Sequence, residues 1–154
     1  MSDRVFLDTN VLVYSFDDDP RKEQISDSII ALALVAPVAL ISFQVLQEFC
    51  HLALRKFKGK FSPQELRKFC LSTLYPLCKI YPSFELLDQA LIIHEKYKIG
   101  YFDSLIVSAA TQGNCKYLLT EDLNDGQTIE GVTILNPFGD ETKLLAALPK
   151  LKRF

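Results

Sequence analysis

Four short apolar segments of this 154-residue chain lead to an acidic side chain. Asp8 directly follows the β-type run Arg4–Leu7, and Glu48 lies two turns into the helix-periodic segment that opens after Val38–Ile41. Asp103 stands just after Gly100, where another helical pattern begins. Thr120-Glu121-Asp122 closes the run starting at Tyr117, with Asp125 three residues further on. Carboxylates gathered in one place repel each other and lose solvation, so such an arrangement calls for a counter-charge. Oxygen-only ligands suit Mg²⁺ or Mn²⁺, which keep several waters and take one or two carboxylates plus a substrate phosphate. An ion held in this way readies a water for attack and neutralises charge on a phosphodiester. A single Asp at a helix start is equally well an N-cap, and Asp103 taken alone fits that description. Asp8 fits it less well, because it ends an apolar strand.

Other chemistries find less support. The six glycines form neither a Gly-x-Gly-x-x-Gly turn nor a P-loop, so the usual phosphate cradle of a nucleotide cofactor is missing. His51 reads as a helix-surface residue and His94 as a residue at the edge of the core. Glu48-x-x-His51 has the spacing of half a di-iron helix motif, but no second copy occurs. Cys50, Cys70, Cys78 and Cys115 contain no Cys-x-x-Cys pair and lie in or beside apolar segments. They are expected to be small buried hydrophobes in a reducing cytosol, not zinc ligands or a redox centre. Asp8 as the nucleophile of an aspartyl-phosphate phosphatase would want a second Asp two residues on, where this chain has Asn10.

The elements that must position these acids follow from periodicity and capping. Strands are expected at Arg4–Leu7, Val38–Ile41, Leu77–Ile80, Tyr117–Leu119 and Val132–Leu135. The spacing predicts helices over Arg21–Ala36, from Ser42 to about Phe57, from Ser62 to about Leu74, after Ser83, from near Asp103, and over Glu141–Leu148. Ser62-Pro63-Gln64-Glu65 combines an N-cap, Pro at the first helical position and a capping-box Glu. In the helix after Ser83, Leu87, Ala90, Leu91 and His94 are expected to share the apolar face. Strands apolar on both faces and alternating with helices predict an α/β fold, a three-layer α/β/α sandwich with a central, mostly parallel sheet. Ligands of such sheets sit outside the carboxyl ends of the strands, where these acids fall.

Composition bounds the rest. Apolar residues make up 49% and charged residues 23%, which excludes a disordered or low-complexity chain. The length suits one domain over residues 1–154. The longest nearly apolar run, Ile29–Ile41, falls short of the ~20 residues that a membrane span needs. No apolar h-region follows the N-terminus, so a cytoplasmic protein without a signal peptide is expected. The net charge of −2 gives no global attraction to nucleic acid, but its distribution is uneven. Residues 1–27 carry three basic and seven acidic groups. Residues 55–68 carry Arg55, Lys56, Lys58, Lys60, Arg67 and Lys68 against Glu65 alone. This basic stretch, interleaved with Phe57 and Phe61, is either a phosphate-backbone grip or a solvated helix–turn–helix surface.

The same acid-bearing segments resemble the PIN-domain ribonucleases, in particular the VapC-type toxins of prokaryotic toxin–antitoxin pairs. The likeness runs through Phe6-Leu7-Asp8-Thr9-Asn10-Val11-Leu12-Val13-Tyr14 and Ile41-Ser42-Phe43-Gln44-Val45-Leu46-Gln47-Glu48-Phe49. It continues in Tyr101-Phe102-Asp103-Ser104-Leu105-Ile106 and Leu118-Leu119-Thr120-Glu121-Asp122, and closes at Asn136-Pro137-Phe138. One such motif carries little weight; four in order carry much. The resemblance implies a metal-dependent endoribonuclease in which Asp8, Glu48, Asp103 and Asp122 surround one or two Mg²⁺ or Mn²⁺ ions. Asp8 and Asp103 are then direct ligands, Glu48 holds a metal or its water, and Asp122 completes the set, with Asp125 as the alternative fourth acid. Glu121 lies in the same stretch. Thr9, Asn10 and Thr120 would supply supporting hydrogen bonds. The reaction implied is in-line attack of metal-activated water on an RNA phosphodiester. A homodimer and a VapB-like antitoxin whose tail occupies the active-site groove are implied partners. Arg55, Lys56, Lys58 and Lys60 are the candidate RNA contacts. The competing readings are a non-catalytic RNA- or protein-binding domain on the same scaffold and a phosphatase for small phosphate esters.

Overall fold

The computed structural model describes residues 3–57 and 59–153, so Lys58 lies outside the described residues. Among these residues six strands form one sheet: β1 (Val5–Leu7), β2 (Ala39–Ser42), β3 (Cys78–Ile80), β4 (Tyr117–Leu119), β5 (Thr128–Ile129) and β6 (Val132–Leu135). Their order is β3-β2-β1-β4-β6-β5, and every pair is parallel except β5 with β6. β1 is central, with Phe6 between Leu40 and Leu118. Val5, Phe6 and Leu7 are all fully buried. Successive strand residues point to opposite faces, so both faces of β1 are covered, as the three-layer α/β/α reading requires.

The chain builds β1, β2 and β3 outward in one direction, then returns to place β4 on the other side of β1. That reversal opens a crevice at the carboxyl ends of β1 and β4. Asp8 ends β1 and Thr120 follows β4, and backbone bonds hold both in line. The Asp8 N–H donates to Leu119 O (3.1 Å) and the Thr120 N–H to Leu135 O (3.1 Å).

Among the described residues seven α-helices join the strands: α1 (Thr9–Val13), α2 (Pro20–Val35), α3 (Phe43–Lys56), α4 (Pro63–Phe69), α5 (Phe84–Tyr97), α6 (Tyr101–Gln112) and α7 (Glu141–Ala147). Side chains start most of them as the sequence predicts. Ser42 Oγ accepts from the Val45 N–H, Ser83 Oγ from Leu86, and Ser62 with Glu65 closes a full capping box. Two elements escape sequence patterning. α1 is only five residues long, and its apolar, β-branched run reads equally well as more strand. β5 has two residues and exists only because Glu130 and Gly131 (φ +49° and +82°) turn the chain back along β6.

The helix from Ser62 runs to Leu74 as expected, with Cys70–Leu74 wound as a π-helical stretch. The structure corrects the expected face of α5 and the place of His94. α5 buries Leu86, Ala90 and Ile93, one residue out of phase with the expected face, and leaves Leu91 exposed. His94 is solvent-exposed; its Nδ1 lies 2.6 Å from Ile99 O, where the chain leaves α5 through Lys98 in the left-handed region. With apolar residues on most sides of that helix, periodicity alone could not choose the face. The aromatic residues of the basic stretch also turn inward. Phe61 packs edge-on against Phe16 at 4.8 Å between centroids, Phe57 lies 6.2 Å from the same ring, and Phe49 and Phe69 complete the cluster.

Candidate active site

A cleft of about 420 Å³ opens at the crevice, and Asp8, Glu48, Asp103 and Asp122 all line it. Four segments far apart in the chain meet there. Asp8 does double duty. Its Oδ1 accepts the Thr9 N–H (2.7 Å), capping α1, and its Oδ2 accepts the Thr120 hydroxyl (2.8 Å). Asp8 is almost wholly buried, and that burial pushes its carboxyl up to about 7. The bonds from Thr120 and Thr9 pull it back down in part, while the Glu48 and Asp122 charges add to the rise.

Glu48 is clamped from both sides: its Oε2 accepts the Thr9 hydroxyl (2.7 Å) and its Oε1 the Gln44 amide (2.7 Å). Gln44 also reaches Phe102 O at 3.4 Å, which ties α3 to the start of α6. Asp103 sits in the first turn of α6 but does not cap it; Gly100 is the cap. Among the described residues its carboxylate has no side-chain hydrogen bond. Burial and the charges of Asp122 and Glu48 raise it above its ordinary range. The plain N-cap reading of Asp103 therefore does not hold here.

Thr120 is the hub of the opposite wall. Its single hydroxyl donates to Asp8 and accepts from Asn10 Nδ2 (3.1 Å) and from the Asp122 N–H (3.1 Å). Asn10 Nδ2 also bonds Asp122 Oδ2 (3.0 Å), and Asn10 Oδ1 accepts from the Glu121 N–H (3.4 Å). Of the candidates for the fourth acid, Asp122 and Glu121 line the cleft and Asp125 does not. Asp125 lies outside the cleft, accepting the Asn136 N–H (2.9 Å) and pairing with Lys143 (3.6 Å). Glu121 lines the cleft but is engaged by Tyr14 and by Lys22, whose Nζ stands 3.2 Å away.

Of the candidate RNA contacts, Lys56 lines the cleft and Arg55 is exposed on the same helix. Lys60 bends away, donating to Phe16 O (2.7 Å) and facing Asp18 at 3.7 Å. Gln44, Tyr14 and Lys22 were not singled out from sequence. Gln44 lies four residues before Glu48, one helical turn away, so its spacing was a usable signal. Tyr14 and Lys22 meet Glu121 only through the tertiary fold.

The donor set fits a hard divalent cation. All four acids offer oxygen, and the two that burial perturbs are raised, as expected where negative charge lacks a partner. Among the described residues no three His, Cys, Asp or Glu side chains close into a ready-made cage. Mg²⁺ needs no such cage, because it keeps waters and takes one or two carboxylates.

The sequence matches the PIN-domain family over residues 5–124, and the chain belongs to that family. No curated protein matches the sequence. Among solved structures the chain is similar to a toxin–antitoxin complex from Klebsiella pneumoniae, with TM-score 0.61, 23% identity, and 86% of this chain and 97% of that one covered. It is similar to FitAcB from Neisseria gonorrhoeae (TM-score 0.57, 19% identity, 88% and 99% covered). A third is VapBC2 from Rickettsia felis bound to a DNA fragment from its promoter (TM-score 0.55, 23% identity, 86% and 97% covered). At these identities the likeness is one of fold.

Proposed function

We propose that this protein is a metal-dependent endoribonuclease, the toxin of a VapBC-type toxin–antitoxin pair. The observation that carries the reading is the meeting of Asp8, Glu48, Asp103 and Asp122 around one cleft at the β1–β4 crevice. A pure binder of anionic RNA gains nothing from four carboxylates there. Asp8 and Asp103, with Glu48 and Asp122 beside them, would hold Mg²⁺ or Mn²⁺, which when bound would supply charge neutralisation and water activation at the phosphodiester.

The chain's own residues do the positioning. Thr120 and the Thr9 N–H fix the Asp8 carboxylate, Thr9 and Gln44 fix Glu48, and Asn10 fixes Asp122. Each carboxylate oxygen so held accepts one bond and keeps a lone pair for a ligand. Lys56, which lines the cleft, would meet a substrate phosphate. The antitoxin partner is inferred from the toxin–antitoxin complexes that share the fold. A homodimer accords with the apolar side chains that α5 leaves outward, Phe84, Leu91 and Ile92. No helix among the described residues is long and apolar enough to cross a membrane, and we place the protein in the cytoplasm.

The deciding experiment incubates antitoxin-free protein with end-labelled total cellular RNA in Mg²⁺, Mn²⁺ or EDTA, beside Asp8→Asn. Discrete fragments that need metal and vanish in the variant are expected. Intact RNA throughout, with no Mn²⁺ binding by calorimetry, would move the assignment to a non-catalytic RNA- or protein-binding domain. Metal-dependent turnover of a chromogenic phosphate ester without RNA cleavage would point to a phosphatase.

A further inference from the structure

α3 presents three stripes. Val45, Phe49 and Ala53 are buried, Glu48, Leu52 and Lys56 line the acidic cleft, and Leu46, Cys50 and Leu54 line a separate apolar cavity of about 800 Å³. Cys70 lines the same cavity, at the junction where α4 passes into the π-helical stretch. The Cys50 and Cys70 sulfurs are 3.4 Å apart. Both are free thiols and only half-buried, whereas Cys78 and Cys115 are buried. The expectation of four inert core thiols thus holds for two of them.

We infer that Cys50 and Cys70 form an oxidisable pair that closes reversibly into an intrachain disulfide, clamping α4 against α3. Both residues line a cavity large enough to admit a small hydroperoxide. The pair is already within about 1.4 Å of the ~2.0 Å length of an S–S bond. The Cys50 sulfur attacks the O–O bond of the hydroperoxide, giving a sulfenic acid and releasing the alcohol, which takes the thiol proton. The Cys70 sulfur then forms the S–S bond, displacing the sulfenic hydroxyl, which leaves as water with the Cys70 proton. In sum two thiols and one hydroperoxide yield one disulfide, one alcohol and one water; a dithiol reductant reverses the change. The closed ring contains Arg55, Lys56 and Lys60, so the clamp acts on the segment that brings Lys56 to the cleft.

The test exposes the purified full-length protein to hydrogen peroxide, alkylates it under denaturing conditions, counts free thiols and maps the cross-linked peptide. We expect two of the four thiols to disappear, a monomeric Cys50–Cys70 peptide, and full recovery with dithiothreitol. Cys50→Ser and Cys70→Ala should each fail to form it. Hydrogen exchange between residues 50 and 70 should slow several-fold in the oxidised parent. Four thiols surviving oxidation, a cross-link between two chains, or pairing with Cys78 or Cys115 would overturn the inference. Unchanged exchange in a cross-linked protein would overturn the clamp. If a variant fails to fold, peptide mapping of the parent still decides. No step uses RNA, so the result is independent of the nuclease assignment.

Discussion

Asp8 carries the largest unfavourable electrostatic burden of any residue in the cleft, and its bonding sets what replacing it will do. Its carboxyl is raised to about 7 in the fold against 3.8 in the unfolded chain. In metal-free protein the folded state therefore holds one more proton than the unfolded state between these values. Stability from this group is fully present below pH ~4, falls as pH rises to about 7, and is flat above that. Asp8→Asn lacks this titration, so its Tm advantage over the parent in EDTA should grow from pH 4 to 7. At pH 8 we expect the variant to melt at or above the parent, by a few degrees at most, while RNA cleavage is lost. A Tm well below the parent at pH 8 would assign Asp8 a structural role. Thr120→Val is the complementary case. It removes one hydroxyl serving three partners and leaves a buried carboxylate oxygen without its donor, at a cost of about 1–3 kcal/mol in chemical denaturation. The Asp8 carboxyl should rise further as well.

Local geometry decides how firmly the helices hold these side chains. α4 begins with a reciprocal capping box, Ser62 Oγ to the Glu65 N–H at 3.1 Å and Glu65 Oε2 to the Ser62 N–H at 3.2 Å. Ser62→Ala should cost about 1 kcal/mol, read from the denaturation midpoint, and loosen the hairpin that carries the basic stretch. α5 ends differently. Lys98 takes the left-handed conformation (φ +57°) with its N–H on His94 O, a place that glycine fills without steric strain. Lys98→Gly should stabilise the protein by about 0.5–1 kcal/mol. A loss of stability would show that the stem of Lys98 packs usefully where it lies.

If the proposed function holds, a chain of net charge −2 with an acidic cleft has to accommodate a polyanion. On the proposed function the cation and the α3 basic end make this possible. Lys56→Ala should weaken binding of single-stranded RNA by the cleavage-dead Asp8→Asn protein and reduce the salt slope by about 0.7. Lys60→Ala should change both much less, because Lys60 is occupied by Phe16 O and Asp18. Equal effects of the two substitutions would mean that RNA follows the whole basic stretch and not the cleft wall.

The sequence by itself determined the parallel α/β class and the helix caps at Ser42, Ser62 and Ser83, and it named the four candidate acids with Asp125 as the alternative to Asp122. These are local or periodic properties: an apolar strand ending in Asp8, a helical phase carrying Glu48, a cap-like Asp103 beside Gly100. Periodicity failed where it had no contrast to work with, on the nearly all-round apolar α5 and the five-residue α1. Which of the candidate fourth acids reaches the cleft was a tertiary decision. Asp122 and Asp125 are three residues apart in one polar loop, and only the fold shows Asn10 and Thr120 drawing the first into the cleft while Asn136 and Lys143 hold the second away. The same holds for Phe61, turned into an aromatic cluster instead of toward solvent, and for Cys50 beside Cys70 across a helical hairpin. Contacts between residues distant in the chain depend on how helices pack on the sheet, and no spacing rule along the sequence encodes them.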